Sequence, residues 1–112
     1  MMELLGKTLA QASTGAYADI VSLQIPPGVT KLSVFLKEKN VNAIKYKIIA
    51  GMNGTDYPYE ITGETVIAKD AQVYETPTSN TKLADPMLHV KVQIIDSVPP
   101  NHGSVDCWVA NG

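Results

Sequence analysis

Arginine is missing from this chain altogether: all nine basic residues are lysines, at positions 7, 31, 37, 39, 45, 47, 69, 82 and 91. The guanidinium fork is the usual bidentate reader of phosphates and guanine edges. With a formal net charge of −2 as well, the chain is a poor candidate for nucleic-acid recognition. Cysteine occurs once, as Cys107, which excludes an internal disulfide and any cysteine-based metal motif. It lies in an alternating apolar stretch and is expected to be buried as a small hydrophobe. No apolar run approaches the roughly 18 residues of a membrane-spanning helix, so no membrane partner is expected. Residues 1–7 lack a basic segment followed by a long apolar one, so cytoplasmic synthesis is expected. Histidine is scarce too: His89 and His102 show no metal-ligand spacing. No Gly-x-Ser-x-Gly elbow or phosphate-binding glycine loop occurs. The carboxylates Asp56, Glu60, Glu64, Asp70, Glu75, Asp85, Asp96 and Asp106 are dispersed, with no spacing that argues for a facing catalytic pair. No enzyme, no cofactor and no metal is the expectation.

What is present is a period of two. The chain has 112 residues, of which 45% are apolar and 18% charged, a composition suited to one globular domain. In 30–38, Leu32, Val34 and Leu36 alternate with Lys31, Ser33 and Lys37; in 43–51, Ile44, Tyr46, Ile48 and Ala50 alternate with Lys45 and Lys47. Leu88, Val90, Val92 and Ile94 form a third series, and Val105, Cys107 and Val109 a fourth. Successive strand side chains point to opposite faces, so each series predicts a strand with one face on a core. Residues 19–25, with Val21, Leu23 and Ile25 on one side, are similar, and 65–69 and 72–76 are weaker candidates. Residues 1–12 contain good helix formers, but Gly6 and the lack of a cap disfavour a helix.

Turn signals separate these runs: Pro26-Pro27-Gly28, Gly63, residues 76–80, Asp85-Pro86 and residues 99–103. Asn53-Gly54 suits a type I′ hairpin. These features predict an all-β chain, a β-sandwich or jelly roll of about seven to eight antiparallel strands. A short N-terminal arm, 1–14, would precede a single domain, 15–112.

The opposite faces of these strands are not purely polar. Phe35, Ile49, Ile95 and Trp108 fall in phase with Lys31, Lys47, Gln93 and Asp106. Large apolar side chains on an outer face mark contact surfaces, so these four are candidate interface anchors, joined by Leu4 and Leu5 of the arm. The alternatives are a bulge that turns part of a strand over, or an arm that folds back to cover them. Tyr57 and Tyr59, flanking Pro58, are candidates for stacking on sugar rings. Asn53-Gly54-Thr55-Asp56 offers oxygen ligands but reads as a turn.

The run Tyr46-Lys47-Ile48-Ile49-Ala50-Gly51-Met52-Asn53-Gly54-Thr55-Asp56-Tyr57 resembles the strand, Asp/Asn-Gly-Thr, aromatic hairpin of small β-sandwich proteins of tailed bacteriophages and prophages. The ending, Leu88-His89-Val90-Lys91-Val92-Gln93-Ile94 and then His102-Gly103-Ser104-Val105-Asp106-Cys107-Trp108-Val109, is similar to theirs. Discoidin-like and carbohydrate-binding sandwiches share the hairpin. The resemblance implies a virion structural protein: a capsid decoration or head/tail accessory subunit, located in the virion and made in the bacterial host. Its implied partners are itself, as a homo-oligomer such as a trimer, and a phage capsid or tail protein. The class brings no catalytic residues. The second expectation is a carbohydrate-binding module that uses Tyr57, Tyr59 or Trp108.

Overall fold

The computed structural model describes residues 3–26, 29, 32–39, 43–75, 89–98 and 102–111. These form eight strands: β1 (Glu3–Ala12), β2 (Ala18–Gln24), β3 (Leu32–Lys39), β4 (Ile44–Gly51), β5 (Tyr59–Ile67), β6 (Gln72–Glu75), β7 (His89–Asp96) and β8 (Ser104–Asn111). Strands β1-β8-β3-β6 make one antiparallel sheet and β2-β7-β4-β5 the other. The order follows from one pairing scheme. First and last strands pair, then β2 with β7, β3 with β6 and β4 with β5. The long double-stranded ribbon so formed is rolled up, and contacts between β3 and β8 and between β4 and β7 close it into two sheets. This is the eight-stranded jelly roll, the more specific of the two expected arrangements. No helix among the described residues is long and apolar enough to cross a membrane.

The core lies where the alternation puts it. Leu32, Val34 and Leu36 of β3 face Ile44, Tyr46 and Ile48 of β4, with Val90, Val92 and Ile94 of β7 and Val105, Cys107 and Val109 of β8, all essentially without solvent contact. Side chains from two inner faces interdigitate in this way in any packed sandwich. Cys107 is buried and unbridged.

Four details differ from the sequence-based expectation. The segment expected to be an arm is mostly a strand: β1 pairs along β8 and closes one edge of its sheet. Its periodicity is broken twice, by register shifts at Leu4/Gly6 and Thr8/Gln11, and Ala10 has a φ of 55°. β-Bulges of this kind erase the alternation that signals a strand. The second detail concerns Gly6, whose Cβ would come within 3.0 Å of Val21 Cγ1, and Thr8 Oγ1, which donates to the Ile20 carbonyl at 2.6 Å. Thus β1 is fastened to β2 across the open side of the sandwich. In β2 itself a register shift between Asp19 and Val21 buries both Ile20 and Val21, where strict alternation allows one.

The third detail is β5, which begins at Tyr59, well before residue 65; its register shifts against β4 again obscure the pattern. The fourth is the Asn53-Gly54 turn. Instead of a two-residue type I′ turn, Asn53 Oδ1 accepts the N–H groups of Thr55 and Asp56, both at 2.8 Å, an Asx turn inside a longer loop. That loop folds back so tightly that a Cβ on Gly51 would be driven into the Asp56 carbonyl oxygen. Leu88, Pro27-Gly28, residues 76–80, Asp85-Pro86 and residues 99–101 lie outside the described residues.

Candidate binding face

The outer face of the β1-β8-β3-β6 sheet carries one continuous row. Register places Lys7 opposite Trp108, Trp108 opposite Phe35, and Phe35 opposite Tyr74. Directly opposed residues share a face, so one residue from each strand stands in line across the sheet. At strand spacings of 4.7–4.9 Å the row is about 14 Å long. The Phe35 and Trp108 rings sit 5.3 Å apart, centroid to centroid, tilted by 59°, within the favourable range for an aromatic pair. Tyr74 is 55% exposed, with its hydroxyl 2.9 Å from Ser33 Oγ. Beside this row, Leu4 (54% exposed) stands opposite Ala110, which in turn stands opposite Ser33. On the other side, Asp106 stands opposite Lys37, and Lys37 opposite Gln72.

Asp106 anchors the base of this face. Its Oδ1 accepts the Ala10 N–H at 2.7 Å and its Oδ2 pairs with Lys39 Nζ at 2.9 Å. Burial works against the charged form, but the Ala10 N–H and the Lys39 and Lys37 ammonium groups outweigh it, holding the carboxyl below its ordinary value. The same contact fixes the bulge at Ala10 and so the line of β1 beside Trp108.

The opposite outer face, on β2-β7-β4-β5, has a different character. Lys45 pairs with Glu64 at 3.2 Å and Lys91 with Asp19 at 3.0 Å, while Gln93 donates to Asp19 at 2.8 Å. Lys47 lies over the Tyr17 ring at 4.1 Å, and the Tyr17 hydroxyl donates to Glu64. Burial first, then Glu64 and Glu60, push the Tyr17 hydroxyl up; the Tyr17 and Lys45 contacts lower Glu64. This is a solvated, charge-compensated surface.

The expected anchors therefore divide. Phe35 and Trp108 meet, with Leu4 on the same face. Ile49 and Ile95 are half-buried on the other sheet, opposite Lys91 and Lys45. Leu5 packs against the core. Of the stacking candidates, Tyr57 has the Lys91 ammonium 4.4 Å from its ring centre and Tyr59 packs on the core. The residues missed from sequence are Tyr74, Lys7 and Lys37. Only the weak alternation of 72–76 hinted at Tyr74, and only the pairing of β6 with β3 brings it beside Phe35.

One cluster brings serine, aspartate and histidine together. Ser13 Oγ donates to Asp96 Oδ1 at 2.5 Å, and His102 Nδ1 lies 2.9 Å from Asp96 Oδ2. Here hydroxyl and imidazole each meet a different oxygen of the one carboxylate. Ser13 Oγ also accepts the Gly103 N–H at 2.7 Å, and the cluster ties the β1–β2 turn to the ends of β7 and β8. At the far end of β3, Glu38 is buried; its Oε2 accepts the Asp70 N–H at 3.0 Å. Among the described residues, no group of three or more His, Cys, Asp or Glu converges as metal ligands would.

No known protein-family model matches the chain, and no curated protein matches it.

Proposed function

We propose that this is a non-enzymatic binding protein that works through the Lys7–Trp108–Phe35–Tyr74 face, and that the occupant this face fits best is a carbohydrate. The supporting observation is the row itself: three rings in register on neighbouring strands, on a broad sheet face. Aromatic side chains give large, rigid contact area at small entropic cost. Sugars have flat C–H faces that stack on such rings. The jelly roll serves lectin and capsid domains alike, so the architecture is compatible with this reading without selecting it.

The second reading is the one the phage resemblance implies, a homo-oligomeric virion subunit held by apolar contact. It is favoured by exposed Leu4 beside the aromatic row. It is weakened because Ile49 and Ile95 lie on the other sheet, and because lysine is depleted in protein–protein interfaces yet flanks this one. A phage head or tail remains a suitable setting for either occupant.

Affinity electrophoresis through gels containing neutral or acidic polysaccharides tests the first reading. The native protein is expected to be retarded by at least one of them and the Trp108→Ala variant by none. Equal retardation of both proteins contradicts the assignment of the face. Light scattering on the same samples tests the second: a larger native mass that falls to monomer in Trp108→Glu, without retardation by any polysaccharide, favours assembly.

A further inference from the structure

We propose that the carbohydrate is acidic: a polysaccharide bearing uronate carboxylates, laid along the aromatic row with Lys7 and Lys37 taking its charges. This rests on the carbohydrate reading above and specifies its ligand.

Charge complementarity points to this ligand. On the opposite sheet face Lys45, Lys47 and Lys91 each have an anionic or aromatic partner. On the aromatic face Lys39 is taken by Asp106. Lys7 and Lys37 are exposed, and among the described residues neither has an ion-pair or ring partner. Both sit at the row: Lys7 stands opposite Trp108, and Lys37 is two residues along β3 from Phe35, on the same side. Asp106, the carboxylate that the described strands place on this face, already has both oxygens engaged. A chain of net charge −2 thus presents beside its aromatic patch two cations that no salt bridge among the described residues ties down, Lys37 acting on Asp106 only at longer range.

Two cations flanking a row of rings match a ligand that combines flat apolar faces with negative charge at its edges. A uronate polymer has this composition: ring C–H faces for Trp108, Phe35 and Tyr74, and carboxylates on its uronate sugars for the lysines. An acidic protein surface would supply the charge without the planar faces. A neutral glycan would supply the faces and leave the lysines idle.

The test is isothermal titration of the full chain with polygalacturonate, alginate and hyaluronan, and with the neutral polymers dextran, mannan and xylan. Polyglutamate serves as a polyanion without sugar rings. Expected is binding to at least one uronate polymer and to none of the neutral ones, weakened at about 0.5 M NaCl as screened charges require. The double variant Lys7→Gln/Lys37→Gln should keep the native melting temperature and bind at least about tenfold more weakly, the scale of a lost anchor. Binding to neutral polymers that the double variant retains overturns the acidic ligand and leaves the carbohydrate reading standing. Polyglutamate bound as tightly as the uronates overturns the proposal in favour of an acidic protein surface. Binding to none of the six polysaccharides overturns both.

Discussion

Replacing Asp106 with alanine removes the group that holds the β1 bulge against β8. The side chain is almost fully buried, and its two oxygens serve the Ala10 N–H at 2.7 Å and Lys39 Nζ at 2.9 Å. A hydrogen bond to a charged group contributes about 1.5–3 kcal/mol, and stranding the Ala10 donor adds to the loss. The Lys39 end is 42% exposed, so solvent screening leaves the ion pair worth less than about 1 kcal/mol. Together these give a loss of about 2–4 kcal/mol, or roughly 8–16 °C in melting temperature for a domain of this size. Asp106→Asn retains an oxygen for Ala10 and should lose less.

The pH dependence has a definite sign. The folded carboxyl titrates below its unfolded value. Its contribution is therefore fully present above the ordinary aspartate pKa of about 3.9 and is lost as pH falls through the lower folded value. Urea denaturation at pH 7 and at steps down to pH 3 measures both effects. The native protein should lose its advantage over Asp106→Asn only in the acid range. A variant within about 0.5 kcal/mol of native at pH 7, or identical acid limbs for the two proteins, would refute the reasoning.

Three further outcomes are expected. Gly51→Ala places a methyl group against the Asp56 carbonyl and should destabilise by about 3 kcal/mol or more, read from the urea midpoint. The Cys107 thiol, pushed up to about 12 by burial, should resist a thiol-specific chromogenic disulfide at pH 8 in the native protein and react promptly in denaturant. Ile49→Ser, on the charge-paired sheet, should leave polysaccharide retardation unchanged; its loss would show that the second sheet takes part in binding.

The strands that were legible in the sequence are those buried on one face and regular throughout. In β3, β4, β7 and β8 the alternation predicts the core residues one by one, because each side chain obeys the pleat. Where a bulge intervenes, legibility fails. The register shifts around Leu4 and Ala10 hide β1, the one at Asp19/Val21 hides the burial of Ile20, and those in β5 hide its first half. Asn53-Gly54 marks a turn correctly, but its geometry is set by the close approach of the Asp56 carbonyl to Gly51, a contact no local signal announces. The candidate face was half legible. Phe35 and Trp108 stand out by phase, yet phase does not say which strands are neighbours. The ordering β1-β8-β3-β6 puts Tyr74 and Lys7 in line with them and sends Ile49 and Ile95 to the other sheet.

Trp108 is the chain's sole tryptophan and stands in the middle of the proposed face, so its emission reports directly on whether that face is the working surface. Titration with whichever polysaccharide the calorimeter shows to bind should shift its fluorescence to shorter wavelength, saturably and with the calorimetric affinity. Saturable binding that leaves the Trp108 emission unmoved would place the ligand elsewhere and contradict the account.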